Sequence, residues 1–254
     1  MVTTMAMAIT TTTDCTMDGE GMSANPPTQV ISQNTVDTRA LLRLMAWLSP
    51  AFPIGGFAWS GGLERAVADG LVKNAGDLRD WLSTLLCHGS LWTDVVLFAE
   101  AWRQAEDAPA LREVAALGLA LAGSAERFNE TLSLGKAFVT AAAAWPHPVL
   151  ERLPAEVPFP VAVGAVAAGH GVPAAQAIAA YLHAAISQSV SAGIRLSVAG
   201  QAQGVAILAG LEPLVEARAG LAAATTLDNL GGAAVQAEIA QLRHETQFSR
   251  LFRS

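Results

Sequence analysis

The chain has 254 residues, room for one large domain or two small ones, and only 15% of them are charged, against roughly 25% in an ordinary globular protein. Formal net charge is −7 and the pI is near 5.2, and the basic face that nucleic-acid binding normally needs is not visible in the sequence. Two cysteines, Cys15 and Cys87, form no motif and suit a reducing, cytoplasmic compartment.

Residues 1–36 are rich in Thr, Ser, Met and Gly and hold Pro26-Pro27. They carry Asp14, Asp18 and Glu20 and no basic residue. This composition predicts a disordered polar leader and no secretory signal. Order is expected from residue 37. Asp37 is placed to cap a helix running to Ser49, with Leu41, Leu44, Met45 and Leu48 on one face and Pro50 as its stop. A second helix is expected from about Ser60 to Gly70. A third starts at Asp77, with Leu78, Leu82, Leu85 and Leu86 on its apolar side. Further helical patterns cover residues 93–106, 109–122, 124–144, 159–169, 174–192, 200–210, 212–226 and 232–252. Alanine, the best helix former, is abundant throughout. The nearest strand pattern, "VPFPVAV" at 157–163, is weakened by its prolines. The fold class read from this is all-α: residues 37–254 form a single, bundle-like domain of roughly ten helices.

The most apolar region, residues 157–211, has Arg195 as its only charged side chain. Prolines, Gly169-His170-Gly171 and His183 interrupt it, so no membrane span of about 20 residues is expected there. Arg195, alone in that region, is expected to have a dedicated acceptor, because a buried unpaired guanidinium is costly.

Motifs for chemistry are incomplete. Gly56 and Gly61 have the spacing of a phosphate loop, but Gly62 and Leu63 follow where Lys and Ser/Thr are needed. "GHGVPA" at 169–174 resembles a dinucleotide turn, but no Asp or Glu lies between Glu156 and Glu212 to hold a ribose. The five histidines form no H-E-x-x-H pair and the cysteines no C-x-x-C. No cofactor, metal site or catalytic group is assigned. Two alternatives to a binding protein stay open: an enzyme whose site is assembled from His88, His183 and distant carboxylates, and a membrane-associated helical protein.

Three segments ask for more than packing: "SPAFPIGGFAWSGGLE" at 49–64, "SAERFNETLSLGKAF" at 124–138 and "LRHETQFSRLFRS" at the end. In these the chain resembles the UreF family of urease accessory proteins. The family's opening signature matches Ser49, Pro50, Pro53, Gly55, Gly56, Phe57, Trp59, Ser60, Gly62, Leu63 and Glu64, with Trp59 where many members have Tyr. Its mid-chain helix matches Glu126, Arg127, Glu130, Thr131, Gly135 and Lys136. Its later run matches Tyr181-Leu182, Ser191, Arg195-Leu196 and Gly200-Gln201, and its tail matches Arg243-His244-Glu245 and Ser249-Arg250-Leu251-Phe252. The resemblance spans about 39–254. It implies an all-helical, dimeric helper rather than an enzyme. Such a helper pairs with UreD (also called UreH), recruits the GTPase UreG and docks on apo-urease, promoting nickel insertion and lysine carbamylation. It implies no nucleic-acid or membrane partner.

On that footing the partner-binding candidates are Phe52, Phe57, Trp59, Glu126, Arg127, Glu130, Arg195, Gln201, Phe248, Arg250, Leu251, Phe252 and Arg253. The three loop aromatics serve either as rigid interface anchors or as core filling between helices. The charges of 126–136 read as a solvated face unless the resemblance holds. Phe248, Leu251 and Phe252 are spaced for one helical face, and residues 243–254 are expected to be a tail that a partner orders.

Overall fold

The Asp37 carboxylate accepts the Arg39 N–H, and the first helix follows it at once. The computed structural model describes residues 37–254, so the leader reading for 1–36 lies outside the described residues. Eleven α-helices are present among them: α1 Thr38–Trp47, α2 Leu63–Ala68, α3 Ala75–His88, α4 Ser90–Arg103, α5 Ala108–Ala120, α6 Ala125–Ala142, α7 Val149–Arg152, α8 Phe159–Gly169, α9 Ala174–Arg195, α10 Gln201–Ala223 and α11 Val235–His244. Two 3₁₀ turns complete the set, and the described residues hold no strand. Side chains close several starts: Asn74 accepts from Gly76 and Asp77, Asp107 from Ala110, and Ser124 from Arg127. Each satisfies backbone donors that the first helical turn leaves open.

The core is built on α4 and α8. Residues 95–99 of α4 and 160–167 of α8 are all buried, as expected of helices apolar on every side. They cross at Gly164, whose missing side chain admits the Phe98 carbonyl. Helices α3, α5, α9 and α10 pack around α4, and α6 packs on α8. The stretch 75–103, formed by α3 and α4, is long and apolar enough to cross a membrane by composition, yet 61% of its 18-residue apolar segment is buried inside the protein.

Several boundaries differ from the sequence reading. The patterns at 200–210 and 212–226 are one helix, α10, which continues through Pro213. The buried positions Gly204, Ile207, Leu211, Val215, Ala219 and Ala222 form one stripe against α9 and α3, and its packing outweighs the hydrogen bond that proline removes. The short α7 has no counterpart among the expected elements. The final helix stops at His244 rather than 252, for a reason that lies in the candidate site.

Candidate functional site

The glycines of the opening loop bend it. Gly55, Gly61 and Gly62 have φ of 74°, 61° and 82°, values that only glycine adopts without strain. Between them residues Gly56–Ala58 make a 3₁₀ turn, pinned to α9 by the Gln188 side-chain amide, which donates to the Gly56 carbonyl at 2.5 Å. This path sorts the three aromatics. Phe52 turns inward and meets Phe138 and Trp145 at 5.7 and 6.3 Å between ring centroids. Trp59 is buried at 7% exposure. Phe57 stands out at 74%. The loop thus sorts its aromatics: Phe52 and Trp59 pack into the protein, and Phe57 is exposed.

Arg195, the last residue of α9, has its acceptor. Its guanidinium donates to the Phe57 carbonyl at 2.7 Å and lies 4.1 Å above the Phe252 ring. One side chain thus joins the loop, α9 and the end of the chain.

The tail corrects two expectations. Residues 248–252 do not form a helix, and Phe248, Leu251 and Phe252 do not share a face: Phe252 is buried while Phe248 and Leu251 are exposed. The cause is Glu64, the lone charge of the opening stretch, buried at the start of α2. It accepts the Leu251 N–H at 2.7 Å and the Phe252 N–H at 2.9 Å. Charge-assisted bonds of this kind are stronger than the neutral ones a helical turn would supply. Arg253 N–H donates to the Ala58 carbonyl at 2.8 Å, and the Ser60 N–H to the Ser254 carbonyl at 3.0 Å. These bonds hold the tail against the opening loop and α2. Arg250 and Arg253 remain on the surface. Arg250 pairs with Glu126 at 2.7 Å and Arg253 lies 5.9 Å from the Trp59 ring.

The charges of α6 are not a solvated face. Arg127 grips both oxygens of Asp94 at 2.6 and 2.7 Å and reaches Glu130 at 3.2 Å, while the Tyr181 hydroxyl donates to Asp94 at 3.1 Å. Burial opposes the Arg127 charge, but Asp94 and Glu130 outweigh it and raise its pKa. Burial raises the Glu130 pKa against the pull of Arg127, and burial together with Asp94 raises that of Tyr181 well above its usual value. Five residues beyond Glu130, Gly135 of the same helix lets the Val157 carbonyl approach, and the Thr131 hydroxyl accepts the Phe159 N–H at 3.2 Å. The motif therefore ties α4, α6 and α9 and the start of α8 together.

A groove of about 600 Å³ runs between the opening loop, α6 and α9, with Phe57, Trp59, Arg195 and the Arg127 cluster in its walls. Gln201 is apart from it on the exposed first turn of α10. His183 lines the groove and His88 ends α3, and no carboxylate hydrogen-bonds either ring among the described residues. No three His, Cys, Asp or Glu side chains gather to hold a metal there either. Sequence reasoning missed Asp94 and gave no tail-holding role to Glu64. The one available signal was Glu64, the single charge of residues 49–64.

The family model described as UreF matches residues 72–212. The urease accessory protein UreF of Agrobacterium fabrum is 65% identical over 215 residues, covering 85% of this chain and 96% of that protein. That of Rhizobium etli (strain ATCC 51251) is 61% identical over 218 residues, covering 86% and 98%. That of Mesorhizobium japonicum is 57% identical over 215 residues, covering 85% and 96%.

Proposed function

The chain belongs to the UreF family of urease accessory proteins, and we propose that it serves urease maturation as a scaffold whose docking surface is the loop–α9–tail junction. It is an accessory factor in nickel-dependent metallocentre assembly, not an enzyme. The observation that carries the docking assignment is the double hold of Arg195 on the Phe57 carbonyl and the Phe252 ring. This hold leaves Phe57, Phe248 and Leu251 exposed beside Arg250 and Arg253. Aromatic and arginine side chains on a braced backbone lose little entropy when a partner covers them, which is the character of interface anchors.

UreD (UreH) is the first occupant in this reading. The GTPase UreG and apo-urease assemble afterwards, and the chain acts in the cytoplasm as a homodimer. Gln201 sits outside the junction and is assigned to a separate contact. Arg127, Glu130 and Glu126 support the surface from beneath. The test is capture of UreD by the full chain carrying Phe57→Ala, Phe248→Ala or Leu251→Ala, with light scattering to follow the dimer. Capture that survives all three substitutions together overturns the assignment.

A further inference from the structure

His244 closes α11 with its ring wholly buried, and both ring nitrogens face carboxylates. Nδ1 is 2.7 Å from Glu126 Oε2 and Nε2 is 3.1 Å from Glu64 Oε2. A neutral imidazole offers one donor and one acceptor, so it can satisfy only one of these contacts. At the other, a bare nitrogen would face a carboxylate oxygen. The carboxylates are not placed to supply the missing proton. Glu64 already accepts two backbone N–H groups of the tail, and Glu126 accepts from Arg250. The arrangement closes when the ring holds both protons, with His244 and Arg250 balancing Glu64 and Glu126.

We propose that His244 is a proton-operated clip for residues 245–254: the imidazolium holds the tail docked, and loss of its proton releases it. The charged groups that face the ring are Glu64 from α2, Glu126 from α6 and, across Glu126, Arg250 from the tail. Neighbouring charges are engaged elsewhere. Arg243 pairs with Asp69, Glu245 accepts the Ala125 N–H, and Arg127 is closed on Asp94 and Glu130. Deprotonation leaves two carboxylates against one arginine, and the Glu64–His244 side of the cluster is buried while Arg250 reaches the surface, so the imbalance falls on the buried side. The strained member is Glu64, the group that holds the Leu251 and Phe252 backbone. Opening there frees Phe252 from beneath Arg195. The consequence for partner capture rests on the docking reading above; the clip itself does not.

The experiment uses the full chain. Amide-exchange protection at Leu251 and Phe252, corrected for the intrinsic pH dependence of exchange, is followed beside the ¹⁵N ring signals of His244 as pH rises. Protection at these two amides is expected to fall about tenfold or more, the worth of one charge-assisted hydrogen bond, in step with loss of the ring proton, while the α4 and α8 amides stay protected. His244→Gln is expected to show the open-tail protection at every pH with unchanged helical circular dichroism. Constant protection through the ring titration overturns the clip, as does a His244→Gln chain whose tail amides are protected like the parent's. A tail that opens on cue while UreD capture is unchanged upholds the clip and overturns the docking reading.

Discussion

Asp94→Ala is expected to cost the protein about 3 kcal/mol or more. The substitution strips Arg127 of its two shortest bonds, at 2.6 and 2.7 Å, and leaves it only Glu130 at 3.2 Å. Removing one partner of a buried ion pair costs about 3–5 kcal/mol, and the remaining Glu130 contact puts this case at the lower end. For a domain of this size each kcal/mol lowers the melting temperature by about 2–4 °C, so the midpoint should fall by about 6–12 °C. The informative companion is the triple variant Asp94→Leu, Arg127→Met, Glu130→Gln. It removes the charges together, and such replacements are commonly neutral or stabilising. Thermal melts by circular dichroism, with UreD capture on the same samples, separate the roles. A cluster that only braces the fold gives a single variant with low stability, and a triple variant that melts and captures its partner like the parent. A single variant melting within about 2 °C of the parent would refute the energetic argument. A triple variant with a normal melt and no capture would put Arg127 and Glu130 in the interface itself.

The loop aromatics should separate by assay. Phe57→Ala should weaken UreD binding by about 2 kcal/mol, roughly 30-fold, with stability within about 0.5 kcal/mol of the parent. Trp59→Ala should instead lose about 3–5 kcal/mol of stability, and calorimetry of both variants checks the pair. Burial, with the Arg43 and His147 charges beside it, lowers the His170 pKa from 6.5 to about 4. The unfolded chain therefore takes up that proton first, and this contribution to stability, full above pH 6.5, declines as pH falls towards 4. Urea midpoints at pH 7 and pH 5 should fall less in His170→Gln than in the parent, and parallel slopes would contradict the assignment. Gly164→Ala drives a methyl group into the Phe98 carbonyl at the α4–α8 crossing. It should cost about 1–3 kcal/mol or more, read as a lowered denaturant midpoint.

Local spacing carried the fold class. Asp37 before an i, i+3, i+4 apolar run and the abundance of alanine specify helices through contacts within one or two turns, and those contacts are written in neighbouring residues. The lone charge of Arg195 singled it out, yet the residue is exposed in the structure, so the cost of burial is not what gives it a partner. The identity of that partner, a carbonyl 138 positions away, was not legible. Pro213 read as a helix boundary because its missing N–H is a local fact, while the buried stripe that carries α10 past it is a tertiary one. The tail shows the limit most sharply. Phe248, Leu251 and Phe252 have helical spacing, and nothing nearby in the chain opposes a helix. Glu64, 187 and 188 positions before Leu251 and Phe252, takes their N–H groups, so one side chain is buried and two are exposed. Burial of a single carboxylate at the start of α2 made that choice, because a desolvated charge must collect donors from whatever backbone the fold brings to it.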